Sequence, residues 1–198
     1  MNLISTLSIA MGSAWVSGLN LYACVATLGL LSRFTHIELP GELQGVTSWW
    51  VIGVAVALYV VEFVADKVPW VDSTWDVIHT FIRVPAGAVL AAAAFGDFDR
   101  SIQVIALLLG GGLALSSHGT KAAARAVLNA SPEPVTNFVA SIVEDVVAIG
   151  STVVAVFFPI LLFIIVAIGL CISIYLFNRV RRFFQNATRK VRTWLTPA

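Results

Sequence analysis

Residues 1–32 contain no Asp, Glu, Lys or Arg, and neither do residues 146–178. Each stretch exceeds the roughly 20 apolar residues that a membrane-spanning helix needs. In lipid every backbone N–H and C=O must be satisfied within its own segment, so such stretches dictate helices. The rest of the chain agrees: 59% of its 198 residues are hydrophobic and 12% charged, and its mean hydropathy is +0.91. A soluble domain carries about a quarter charged residues. The sequence therefore predicts an all-α polytopic membrane bundle of about six segments, with residues 1–178 as one integral domain and 179–198 as a basic tail. The first stretch has no basic leader region, so it reads as a spanning helix, not a removable signal.

Turn residues divide the chain. Pro40, Gly41 and Gly45 mark a loop after a first segment over about 3–31. A second helix starts near Thr47 or Ser48 and stops at Pro69. Asp72, Ser73 and Thr74 offer a cap for a third, which runs through Pro85, a potential kink, to Gly96. A fourth begins at Ser101 and ends at Ser131-Pro132-Glu133-Pro134. Pro159 divides the remaining 44 residues, 135–178, into a fifth and a sixth helix.

Six of the twelve Lys and Arg residues follow Asn178, with no acid among them. The positive-inside tendency places that tail in the cytoplasm, and an even number of spans brings the N-terminus there too. Phe183, Phe184 and Trp194, interleaved with the bases, suit an interfacial helix on anionic lipid. Nucleic acid is not an expected partner.

The remaining charges interrupt lipid-compatible helices in clusters. A charge in hydrocarbon costs several kcal/mol and usually faces a bundle interior or a water-filled cavity. Glu62 and Asp66 share a helix face. Asp72, Asp76, His79 and Arg83 follow at spacings of four, three and four, either lining an aqueous path or forming a ladder of pairs. Lys121 and Arg125 share a face with His118. Together with Asn20 and Tyr22 they suit an anionic or zwitterionic solute; their alternative partners are Glu144 and Asp145. Asn129 and Asn137 flank the Pro turn as caps.

Catalytic patterns are absent: there is no HExxH, GxSxG, phosphate loop or cysteine metal motif. No catalytic residue, metal or cofactor is expected, and an intramembrane hydrolase built on Ser116 or Ser117 is a weak alternative. Cys24 and Cys171 read as small hydrophobes. Gly87 with the alanines after it, and Gly110-Gly111-Gly112, read as close helix contacts, which also favour a homo-oligomer, a dimer first.

The halves echo one another. Gly18 in the long first segment and Gly119 in the long fourth lie in similar Gly- and Ala-rich surroundings, and the next helix of each half carries two acids. This suggests an inverted 3+3 repeat, residues 1–96 and 101–178, with both long helices broken and their freed N–H groups open to anions, as in transporters.

The segment Glu62-Phe63-Val64-Ala65-Asp66-Lys67-Val68-Pro69, with Asp72-Ser73 and Trp75-Asp76, resembles a bacterial family of small integral membrane proteins, the domain of unknown function DUF4126. His118-Gly119-Thr120-Lys121 with Arg125, Ser131-Pro132-Glu133-Pro134 and Glu144-Asp145 carry the same resemblance, which covers roughly residues 10–175. It implies a membrane location, here a bacterial inner membrane, and no mechanism. The expected function is a secondary transporter or channel for a small charged solute, in which Lys121, Arg125 and Arg83 attract the solute and Glu62, Asp66 and Glu144 handle protons or counter-cations. The rival is a non-transporting scaffold, or lipid- or partner-binding module, whose charges are internal struts.

Overall fold

A computed structural model describes residues 2–129 and 134–195, apart from some side chains, chiefly in the C-terminal helix. Among these residues the protein is six α-helices and one 3-10 turn: α1 (Leu3–Thr35), the turn Gly41–Thr47, α2 (Trp49–Ala65), α3 (Pro69–Ala94), α4 (Arg100–Asn129), α5 (Pro134–Phe157) and α6 (Pro159–Leu195). Five helices are long and apolar enough to cross a membrane, or six if the 3-10 turn and α2, bent by 71°, count as one. Pro159 divides α5 from α6 as the sequence indicates. Pro69 does more than stop α2: it occupies the first turn of α3, where its missing N–H costs nothing, so α3 opens before the expected cap at Asp72. The side chains of Asp72 and Asn129, and residues 131–133 of the Pro turn, lie outside the description.

Helix α1 is the centre of the bundle and is not straight. Asn20 leaves helical geometry (φ −150°, ψ 100°). In a continuous helix Ser13 and Cys24 would stand about 16 Å apart along the axis, yet Cys24 Sγ lies 3.7 Å from the Ser13 carbonyl oxygen. The chain therefore turns back at Asn20, and α1 is a hairpin of two limbs, residues 3–19 and 21–35. Helix α5 registers both limbs: its Asp145 touches the tip at Asn20, and further along it Thr152 meets Cys24 of the second limb. Ala155 accepts a hydrogen bond from Ser8 of the first limb at 2.8 Å. Both limbs thus run from the tip toward the same end of the bundle, where Arg33 donates to the Thr47 carbonyl at 2.7 Å.

Small residues allow the hairpin to sit between its neighbours. A Cβ on Gly18 would collide with Ser117 Oγ and the Ala114 carbonyl, and one on Gly87 with Ser17 Oγ and Ala114 Cβ. Gly87 and Gly110 are thus close-contact glycines, as expected of small residues in membranes. Side chains such as Phe81, Leu108 and Ile160 face outward, the arrangement that lipid solvates.

Helix α4 is unbroken through Gly119, contrary to the expected second break. Gly119 faces open space. Ser116 and Thr120 return their hydroxyls to Leu113 and Ser116 carbonyls at 2.8 Å each, bonds that leave the helix ladder intact.

Candidate functional site: a buried charge network at the hairpin tip

Three bases project into the interior beneath the tip, Arg83 from α3 and Lys121 and Arg125 from α4, each at most 3% exposed. Their placement follows from helix period: Lys121 and Arg125 share one face of α4, and Arg83 stands seven residues after Asp76 on the buried face of α3.

Arg83 donates to Glu62 Oε1 at 2.7 Å and to Asp76 Oδ1 at 3.1 Å. Its Nη1 also lies 3.3 Å from His118 Nδ1. Since a guanidinium only donates, that nitrogen is an acceptor, and His118 Nε2–H faces Thr80 Oγ1 at 2.7 Å. Thr80 in turn donates to the Asp76 carbonyl at 3.0 Å. His79 is likewise held at both ring nitrogens: Nδ1 faces the Trp75 carbonyl at 2.9 Å, Nε2 faces the Tyr22 hydroxyl at 3.2 Å, and its ring stacks on Trp75. Both histidines are doubly hydrogen-bonded links, and the acceptor role of Nδ1 makes His118 neutral.

Lys121 Nζ lies 3.2 Å from Asp66 Oδ2 and 3.4 Å from Glu144 Oε2, with Glu62 and Asp76 at 3.9 Å. It also donates to the Leu19 carbonyl at 3.2 Å, a group left beside the break by the departure of Asn20 from helical geometry. Asn20 completes the break: its Oδ1 accepts the Ala23 N–H at 2.9 Å, an N-cap for the second limb. A donor expected to stay open to an anion is therefore occupied from within the chain. The break itself falls two residues past Gly18.

Arg125 grips Glu144 with two bonds, Nε to Oε1 at 2.9 Å and Nη2 to Oε2 at 2.7 Å, the geometry a planar guanidinium favours. It also reaches the Asp66 carbonyl at 3.3 Å and Asn137 Oδ1. Asn137 Nδ2 donates to that same Asp66 carbonyl at 3.1 Å. Asn137 thus serves the end of α2 and Arg125 rather than capping its own helix, a correction to its reading as a local cap: its polar ends face α2 and α4.

The residues singled out in the sequence converge. Glu62, Asp66, Asp76, His79, Arg83, His118, Lys121, Arg125, Glu144 and Asp145 surround the tip, with Asn20 in contact and Tyr22 at its edge. Gly18 packs the tip against α4, whereas Gly119 lies outside. Of the alternative partners for Lys121 and Arg125, Glu144 takes part and Asp145 does not. Sequence reasoning gave Thr80 no role, read Asn137 as a local cap and placed Lys67 only within the family segment. Lys67 Nζ donates to the Phe63 carbonyl at 2.9 Å and sits 3.0 Å over the Phe63 ring; its position directly after Asp66, at the end of α2, was the available signal. No group of three His, Cys, Asp or Glu residues suited to a metal ion occurs among the described residues. Both cysteines are unpaired, Cys24 buried and Cys171 on an exposed face.

The model of the domain of unknown function DUF4126 matches residues 7–179. No curated protein and no solved structure matches the chain.

Proposed function

The chain belongs to the DUF4126 family, for which no function is established, and from its site we propose that it is a non-transporting membrane module whose interior charges are struts. In this reading it works through its outer surface, as a scaffold or a lipid- or partner-binding element of a bacterial inner membrane. One observation carries this: each of the three interior bases is engaged by carboxylates, with Arg83–Glu62 and Arg125–Glu144 at 2.7 Å and Lys121–Asp66 at 3.2 Å. A base so occupied has little to offer a solute. Removing one partner of such a pair strands a buried charge, whereas replacing both with apolar groups is often tolerated.

The test reconstitutes the protein in vesicles with a panel of small anions, zwitterions and protons. The reading expects flux no higher than in empty vesicles. It also expects Glu144→Ala to lose the fold, and Arg125→Met combined with Glu144→Leu to recover it. Flux that disappears in a well-folded Lys121→Gln protein would overturn it.

The reading includes a topology. With α1 as a re-entrant hairpin and α2–α6 as five crossings, the two termini fall on opposite faces, in place of the common cytoplasmic side expected from an even number of spans. Of the twelve Lys and Arg residues, Arg33 and Arg100 fall at the hairpin's open end. Three lie inside, and seven, Lys67 and the six after Asn178, fall at the other end. The positive-inside rule makes that end cytoplasmic. Cysteine labelling at Asn2 and Gln185 in a Cys24→Ala, Cys171→Ala background checks this: impermeant reagent should reach the two sites from opposite sides.

A further inference from the structure

The pairing that closes the interior leaves one acid out. Asp145 is 6% exposed, and its Oδ1 accepts from Asn20 Nδ2 at 3.1 Å. Its Oδ2 is buried without a hydrogen-bond partner. Among the described residues no Lys, Arg or His forms an ion pair with it, although Glu144 beside it holds two bases.

The charged and titratable groups facing Asp145 are few. Helix α2 presents Tyr59 and, at its end, Asp66 and Lys67; α4 presents Lys121; α1 presents only the Asn20 amide. Lys121 is drawn to Asp66, Glu144 and the Leu19 carbonyl. Lys67 is held by the Phe63 carbonyl and ring. Asp66 carries the same sign as Asp145. Across the cluster, five carboxylates (Glu62, Asp66, Asp76, Glu144, Asp145) meet three buried bases (Arg83, Lys121, Arg125), with Lys67 at the edge as the fourth. An unpaired buried carboxylate is costly, while a neutral carboxyl needs only one acceptor for its hydrogen, and the Tyr59 hydroxyl that faces Asp145 from α2 can supply it.

We propose that Asp145 is a proton-binding site, its carboxyl carrying a hydrogen at neutral pH and reporting its occupancy to the hairpin through Asn20. Oδ1 remains the acceptor for Asn20, and Oδ2 is the free oxygen that takes the proton. Asn20 links the two ends of this relation, since the same carboxamide that contacts Asp145 caps the second limb at Ala23. The site goes beyond the strut reading and does not depend on it: the paired acids hold the bundle, and the unpaired one takes the proton.

Infrared difference spectroscopy of the full chain in vesicles tests this, by following the C=O stretch of a protonated carboxyl and its shift in heavy water between neutral and alkaline pH. The expected band is present at neutral pH with equal amplitude in sodium and choline buffers. It is absent in Asp145→Asn and retained in Asp97→Asn, an exposed control on the α3–α4 turn. Asp145→Glu, which keeps an acid in place, should move the band rather than remove it, and serves if the Asn variant does not fold. A wild-type spectrum without the band, a band that survives Asp145→Asn, a band unmoved in Asp145→Glu, or one seen only without sodium would each overturn the proposal. Vesicle flux is a separate measurement, so failure of the strut reading and failure of the proton site are told apart.

Discussion

Helices α1 and α4 have similar interiors, each long, rich in Gly, Ala and Ser, and each meeting the other near its middle, yet only α1 breaks. The difference lies in what receives the freed backbone. At Asn20 the Ala23 N–H finds a side-chain acceptor within the same turn, and the Leu19 carbonyl finds Lys121 from another helix. At Gly119 nothing lies within reach of the missing Cβ. A break there would free several backbone groups at once, and of these Ser173 of α6 reaches just the Ser116 carbonyl, at 3.3 Å; a backbone group left without a partner in a membrane costs several kcal/mol. Permissive residues allow a break, and partners from outside the helix decide whether it forms.

The largest test of this contrast removes the partner. Lys121→Ala withdraws the base from the Leu19 carbonyl and leaves Asp66 only the longer pair with Arg125 at 3.8 Å, so thermal unfolding in detergent should show a loss of about 3–5 kcal/mol or no folded protein. Lys121→Met should do little better, since it also takes the nearer base from the acid. Next, Asn20→Ala removes the cap of the second limb and should cost about 0.5–2 kcal/mol, with hydrogen exchange quickening at Ala23 more than in α4. If Asn20→Ala left both stability and exchange unchanged, the cap would not be what holds the break. The smallest effect belongs to Gly119→Ala. With open space around it and a gain in helix propensity of up to about 1 kcal/mol, it should be neutral or stabilising in the same unfolding assay. A large destabilisation there would mean that α4 also needs a break.

Several parts of this arrangement were legible in the chain. Pro159 ends one helix and starts another because a Pro at the head of a helix lacks an N–H that would be unsatisfied anyway. The grouping of Glu62 with Asp66 and of Lys121 with Arg125 followed from helical period alone. The neighbourhood of the α1 break was readable from Gly18, though the residue that breaks is Asn20, whose carboxamide can cap. Less was legible where the outcome rests on the far side of a contact. Asn137 looked like a cap beside a Pro turn and instead serves α2 and α4. The partners of His79, the Trp75 carbonyl and the Tyr22 hydroxyl, were equally out of reach of the sequence, since Tyr22 comes from another helix. Glu144 and Asp145 are adjacent and chemically alike, yet one is gripped by two bases and the other meets the Asn20 amide and the Tyr59 phenol.

The sequence by itself determined that this chain lives in a membrane, that it is helical, where most of its helices end and which charges share a face. These follow from local rules, the hydration cost of backbone and charge and the 3.6-residue period. The tertiary structure alone decided that α1 turns back on itself, that the bases and four acids close on one another, and that Asp145 is left over. Those outcomes depend on groups from different helices, some of them, such as Lys121 and Asp66 or Asn20 and Asp145, more than fifty residues apart in the chain, meeting within about 3 Å, a distance at which hydrogen bonds form and which no local pattern encodes.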